Sequence, residues 1–280
     1  MTVVRLCASV PAMPGRTRKD QERAVPEGDT LYRTAETLRR WIGGREITGA
    51  EARVAGFPAL RLVGQRVEAV EARGKHLLVR LDSGQVLHTH LRMSGSWHVY
   101  PAGQRWRRPE SQARLVVQAG ERLAVCFNAP TVELLQPKAE GAHPSLGRLG
   151  PDILADDLDI EEVQRRARTR PPDTPLGELL LDQQVVSGIG NIWRCETLFV
   201  EHRNPWTERQ KLTEDDLAAL VLMAAELMRT SVQGPARPRP RWVYRRAGRP
   251  CRRCGTLVEA RRLGHDQPRT AYFCPSCQPA

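Results

Sequence analysis

Two Cys-x2-Cys pairs stand near the end of this 280-residue chain: Cys251 with Cys254, and, after nineteen intervening residues, Cys274 with Cys277. Two such knuckles brought together by a β-hairpin present four thiolates to one tetrahedral metal, and zinc is the ion that this donor set selects. Four thiolates leave no open position, so the metal is expected to be structural. A module of about 30 residues cannot build a core, and metal binding supplies the missing folding energy.

The second group lies at Pro26-Glu27-Gly28-Asp29-Thr30. An α-amino group has a pKa near 8, so much of it is neutral at cellular pH, where a lysine is charged. The positive end of a following helix lowers it further. A proline amine is secondary, and its adduct with a sugar C1′ aldehyde is a cationic iminium. That charge is an electron sink: the C2′ proton becomes labile and the 3′ phosphate can leave. Glu27, next in the chain, is a candidate general acid or base. By themselves, however, these residues read as a good helix start, and Pro26 is internal here.

Two further stretches bear on anion binding. Ser187-Gly188-Ile189-Gly190-Asn191-Ile192 places two glycines before a helix, whose free N–H groups, with the Asn191 amide, form an anion pocket. Phosphate is the expected anion, although a tight turn needing glycine explains the pattern equally well. In Arg73-Gly74-Lys75-His76, Gly74 permits close backbone approach and Lys75 projects from a sheet, or is a solvated turn lysine.

The elements that must position these groups follow from periodicity. Asp29 is the expected N-cap of an amphipathic helix over about 30–42, with Leu31, Ala35, Leu38 and Ile42 on one face and Gly43-Gly44 at its end. From 53 to about 136, runs at 66–72, 76–81, 85–90, 96–100, 114–118, 123–127 and 132–135 are β-rich and separated by turns such as Asp82-Ser83-Gly84. Many short strands at this spacing predict an antiparallel sandwich or barrel. Residues 101–111 form a polar loop carrying Arg105, Trp106, Arg107 and Arg108. Beyond about 150 the chain turns helical, with candidates at 160–168, 176–184, 192–200 and 214–230, then a Pro/Arg linker at 234–240.

The composition narrows the function class. A net charge of +11 suits a polyanion binder more than a small-molecule enzyme. Between Ala236 and Arg262 there are ten arginines against one acid, Glu259, a run that a solvated basic face would also show. The seven cysteines do not form a disulfide framework, which fits a reducing compartment. No stretch approaches the roughly 20 apolar residues of a membrane span, and the first 25 residues lack the apolar core of a signal peptide. A soluble, cytoplasmic protein is expected.

Taken together, these motifs resemble the formamidopyrimidine-DNA glycosylase / endonuclease VIII family, over nearly everything from Pro26 to Gln278. Pro26-Glu27-Gly28-Asp29-Thr30 is similar to its N-terminus, and Arg73-Gly74-Lys75-His76-Leu77 to its lysine hairpin. Leu180-Leu181-Asp182-Gln183, running on to Gly188-Ile189-Gly190-Asn191, resembles its helix–two-turn–helix. Arg269-Thr270-Ala271-Tyr272-Phe273-Cys274 resembles the tip of its zinc finger. The resemblance implies an α+β fold: a catalytic helix and β-sandwich at 26–140, a helix–two-turn–helix domain at 150–234 and a zinc finger at 241–278 holding one zinc ion.

It further implies a monomeric, nucleoid-associated base excision repair enzyme, a DNA glycosylase and AP lyase acting on damaged DNA. Pro26 would be the Schiff-base nucleophile and Glu27 the acid/base. Lys75 would contact phosphate and serve β-elimination, and Arg269 would grip phosphate and assist δ-elimination. Arg92, Arg148 and Asn191 lie where the family places DNA contacts. Leu91-Arg92-Met93-Ser94-Gly95 resembles the loop that fills the duplex when a nucleotide is flipped out, with Met93 as wedge unless it is a core methionine.

The oxidised-purine branch begins Pro-Glu-Leu-Pro-Glu and carries an Asp-Pro-Arg-Arg-Phe-Gly stretch. Here Gly28-Asp29-Thr30 follows Pro26-Glu27, and the second place reads Phe127-Asn128-Ala129-Pro130-Thr131. Both departures favour the endonuclease VIII branch and oxidised pyrimidines over the oxidised-purine alternative. An acylated Pro26 cannot form an iminium, so residues 1–25 are expected to be absent from the mature protein. Initiation at Val25, read from a GTG codon, is favoured over proteolytic trimming. If the leader stays, the expectation is a catalytically silent damaged-DNA-binding protein.

Overall fold

The structure, a computed structural model, describes residues 26–234, 241–264 and 268–280. The expectations for residues 1–25 and for most of the 234–240 linker lie outside the described residues.

Helix α1 (Gly28–Ile42) buries Leu31, Ala35, Leu38 and Ile42, the face that the i, i+4, i+7, i+11 spacing predicts. Its start differs from expectation. Glu27, not Asp29, occupies the N-cap position, and its side chain makes no cap bond to α1. The reason is that both acids are used elsewhere. Asp29 accepts a hydrogen bond from the Ser231 hydroxyl at 2.7 Å, tying α1 to the last long helix, and Glu27 serves a different helix.

Eight strands follow: β1 (Gly49–Ala52), β2 (Val67–Arg73), β3 (His76–Leu81), β4 (Val86–His90), β5 (Ser96–Pro101), β6 (Ala113–Ala119), β7 (Arg122–Phe127) and β8 (Thr131–Leu135). They form two antiparallel four-stranded sheets, ordered β1-β6-β7-β5 and β2-β3-β4-β8. Their facing side chains and the apolar stripe of α1 share one core, which includes Val67, Leu77, Leu81, Leu115 and Cys126. The expected sandwich is present. Strand β1 has no counterpart among the expected runs: its four residues, Gly-Ala-Glu-Ala, are small or charged and none is fully buried. It is an edge strand defined by pairing with β6 rather than by its own pattern.

The helical half contains α2 (Ile160–Arg168), α3 (Leu176–Leu179), α4 (Asn191–Val200) and α5 (Glu214–Gln233). Asp159 caps α2, and Thr213 with Asp216 forms a capping box on α5. Helix α3 stops far short of the expected 184. Asp182 accepts from the Gln184 amide at 2.8 Å. The Gln183 side chain bonds the Leu181 and Ile189 carbonyls and the Gly188 amide, so it shapes a turn instead of extending a helix.

The C-terminal hairpin pairs β9 (Glu259–Leu263) with β10 (Arg269–Phe273). It is seated on α4. The buried Glu196 carboxylate accepts from the Trp242, Val243 and Tyr244 amides at 2.8–3.1 Å, and Cys195 and Phe199 share a cluster with Val243, Val258 and the cysteine knuckles. No helix among the described residues is long and apolar enough to cross a membrane.

Candidate active site and nucleic-acid interface

The site forms where three parts of the fold meet: the start of α1, the β2–β3 turn and the start of α4. The Glu27 carboxylate, only 1% exposed, accepts from the Ile192 amide at 2.8 Å and from the Trp193 amide at 3.2 Å. It therefore occupies the N-terminus of α4, where free amides and the helix dipole favour an anion. This corrects the expected phosphate pocket at the glycine junction: the anion held by these two amides is the protein's own carboxylate. Gly190 makes room for it. A Cβ there would lie 2.2 Å from the Glu27 carboxyl carbon. The Gly28 amide donates to the Gly188 carbonyl at 3.0 Å, which fixes Pro26-Glu27 against the same junction.

Glu27 is pushed up to about 7 by burial, against the pull of Lys75 and of the Ile192 amide. Lys75 is brought down to about 8, also chiefly by burial, with Glu27 raising it and Arg269 lowering it. Each of these groups lies in the field of the next, so Glu27, Lys75 and Arg269 converge from three separate segments. Both Glu27 and Lys75 are then mixed populations near neutral pH, the condition under which one site can accept and return protons.

Lys75 is presented by a two-residue turn between the paired residues Arg73 and His76. Gly74 takes φ +59 there, and a Cβ on it would meet Ser187 at 3.0 Å. The Gly74 amide donates to the Asp152 carboxylate, which also accepts from the Leu154 amide at 2.8 Å. Asp152 thus clamps the hairpin to the helical half. Sequence reading missed it, because a lone Asp after a proline carries no motif. Burial raises its pKa above the usual carboxylate range, and its two backbone hydrogen bonds oppose that rise.

Arg269 is exposed at the start of β10. The strand that carries it is fastened to α4 by the Thr270 carbonyl, which accepts from Asn191 Nδ2 and from Arg194, each at 3.0 Å. One amide proton of Asn191 is therefore used inside the protein. Arg194 is fully buried, and its position on α4 gave no sequence signal.

The β4–β5 connection, 91–95, turns on Arg92 at φ 46, whose amide donates to His90 Nδ1 at 3.1 Å. Leu91 is buried and Met93 is 54% exposed. The core-methionine alternative does not hold. Arg148 is exposed, and its carbonyl accepts from Arg166 of α2 at 3.3 Å. Part of the arginine run packs rather than faces solvent: Arg241 stacks on Trp193 and Arg253 on Phe199.

The four cysteines 251, 254, 274 and 277 have all their sulfurs within 4.8 Å of one another, a group able to hold a metal ion. The Cys254–Cys274 and Cys251–Cys277 separations are 3.5 and 3.9 Å, matching the edge of about 3.8 Å that a tetrahedron with 2.3 Å metal–sulfur bonds requires.

Comparison with known proteins agrees with this layout. Residues 25–130 match the formamidopyrimidine-DNA glycosylase N-terminal domain and residues 149–237 the formamidopyrimidine-DNA glycosylase H2TH domain. The chain is 38% identical over 262 residues to the probable endonuclease 8 2 of Streptomyces coelicolor, covering 91% of this chain and 94% of that protein.

The chain belongs to the formamidopyrimidine-DNA glycosylase / endonuclease VIII family.

Other members of this family among its relatives include endonuclease 8 2 of Mycobacterium tuberculosis, 36% identical over 91% of this chain and 100% of that one. The DNA-(apurinic or apyrimidinic site) lyase Nei2 of Mycolicibacterium smegmatis is 34% identical over the same shares. Among solved structures, the Lactococcus lactis formamidopyrimidine-DNA glycosylase bound to DNA with an AP site superposes with a TM-score of 0.77, at 22% identity over 91% of this chain and 100% of that one, and shows the same fold.

Proposed function

We propose that this family member removes oxidised pyrimidines from DNA and cuts the strand at the resulting abasic site by β,δ-elimination, through a Schiff base on Pro26. The observation that carries the reading is the buried Glu27 carboxyl beside Pro26, held on the α4 amides and titrating near 7. In this reading the unblocked Pro26 nitrogen attacks C1′, with Glu27 supplying a proton as the sugar opens and the base departs. The resulting iminium makes the C2′ proton acidic. Lys75, partly neutral near pH 8, takes it as the 3′ phosphate leaves. Arg269 neutralises the phosphate that leaves in the second elimination, and water releases the sugar remnant from Pro26.

The cysteine knuckles would hold zinc, which here supplies folding energy only. Arg92, Arg148 and Asn191 would contact the DNA backbone, and Met93 would fill the space left by the flipped nucleotide.

Two observations favour pyrimidines. The named relatives of highest identity are endonuclease 8 proteins. In addition, the β7–β8 connection is only 128–130, and Phe127 at its edge is fully buried against Trp106 and His98. It offers no exposed aromatic to the duplex. A panel of duplexes carrying thymine glycol, dihydrouracil or 8-oxoguanine tests the assignment. Excision of the two pyrimidines well ahead of 8-oxoguanine is expected, and the reverse order would refute the pyrimidine assignment.

A further inference from the structure

The outer face of the β2-β3-β4-β8 sheet carries a group that the proposed reaction leaves unused. His88 on β4, Glu133 on β8 and His143 on the 136–150 connection point their donor atoms at one another, all within 4.8 Å. His88 is 1% exposed. His88 Nδ1 lies 3.3 Å and His143 Nε2 3.0 Å from Glu133 Oε2, and the two rings stand edge to face at 5.2 Å.

We propose that these three residues form a second metal site, for zinc or a similar first-row divalent cation, held by two imidazoles and one carboxylate. Bonds of 2.0–2.2 Å from a tetrahedral ion place neighbouring donors about 3.3 Å apart, close to the separations of the two imidazole nitrogens from Glu133 Oε2. The surrounding groups suit ligation. With the ion on Nδ1, the His88 Nε2–H donates to His76 Nδ1 at 2.8 Å, which fixes tautomer and ring orientation. With the ion on Nε2, the His143 Nδ1–H donates to the Ser145 hydroxyl at 3.2 Å. The same nitrogen also faces the Ser145 and Leu146 amides, both at a long 3.3 Å, contacts that ligation through Nε2 would give up in favour of the hydroxyl. Leu78, Val86, Leu146 and Leu149 form an apolar cluster on the same face.

The site would act as a staple. The 136–150 connection leads from the sandwich to the helical half, where the Gly150 amide joins the Gln183 carbonyl at 2.9 Å. Its lateral attachments to the sheet include the Arg80–Glu140 ion pair at 2.6 Å and the His143–Glu133 contact at 3.0 Å, together with the apolar contacts. A cation shared by His88, Glu133 and His143 would fasten it to two strands at once.

Metal content and spectrum test this directly. The full chain is saturated with zinc, dialysed and analysed by plasma mass spectrometry, alongside Glu133→Gln and His143→Gln. A parallel set is loaded with cobalt. Two equivalents are expected in the wild type and one in each variant, while the sulfur-to-cobalt charge-transfer bands of the cysteine site persist in all three. Those bands also report that each variant is folded. A single equivalent in the saturated wild type, or a second equivalent retained by either variant, would overturn the proposal.

Discussion

The Glu27 carboxylate accepts from the Ile192 amide at 2.8 Å, so the residue that opens one half of the molecule caps a helix of the other. A helix N-terminus normally lowers a carboxyl pKa. Here burial outweighs it, and Glu27 is left near 7. The site therefore holds a proton-exchanging acid at neutral pH, and stability is given up to keep it there.

The cost can be measured. The folded pKa of Glu27 lies above its unfolded value, so between about 4.5 and 7 the native state binds more protons than the unfolded one. Its contribution to stability is then lost as pH rises through that window, by up to roughly 3 kcal/mol. Denaturant unfolding of Glu27→Gln at pH 5 and pH 8 should show a variant that gains on the wild type at the higher pH. Base excision by the same variant should fall about 10²–10⁴-fold. An unchanged stability difference across the two pH values would contradict the assignment.

Gly190→Ala tests the fit itself. Its Cβ would lie 2.2 Å from the Glu27 carboxyl carbon, so the acid must move. The backbone there is extended at φ −117 and accepts alanine without strain. Excision in single-turnover assays should drop about 10²-fold or more, with a stability loss of about 1–3 kcal/mol. Near-normal excision would mean that the position of Glu27 is not critical.

How much of this was legible beforehand differs by element. The apolar stripe of α1 and most of the strand runs followed from period alone, because each buries one face against a single core. Strand β1 did not, since its pairing with β6 rather than its composition defines it. At the site, the types Pro26, Glu27, Lys75 and Arg269 were readable from motifs, but their geometry was not. The glycine junction was expected to hold phosphate. Only the fold reveals that a carboxylate some 165 positions earlier fills it. Asp152, Glu196 and Arg194 were invisible for the same reason: each works through backbone groups distant in the chain, which leave no local pattern.

Lys75→Met should separate the two chemical stages. Lys75 is the largest charge opposing the burial of Glu27, so its loss raises Glu27 above 7, and the alkaline limb of the pH–excision profile, where Glu27 loses the proton it must supply, moves upward. Strand cleavage at a preformed abasic site should fall about 10²-fold, and in the wild type it should rise with pH through about 8, as Lys75 loses its proton. An unmoved alkaline limb would show that the two groups are not coupled.

Cys274→Ser removes one of the four sulfurs next to the end of β10 and so loosens the strand that carries Arg269, leaving its Thr270 carbonyl bonds to α4 among the remaining tethers. Metal content should fall by one equivalent. Affinity for an abasic duplex should drop, and the slope of log affinity against log salt should become shallower as phosphate contacts are lost. A variant with unchanged salt dependence would place Arg269 away from the backbone.

The central claim concerns the Pro26 nitrogen, and borohydride trapping with peptide mapping tests it most directly. A chain beginning at Pro26 and the same chain preceded by residues 1–25 are each incubated with an abasic duplex and reduced. The account predicts a covalent adduct in the first, mapped to the Pro26 nitrogen, and none in the second. An adduct on a lysine, or equal trapping by both chains, would contradict it.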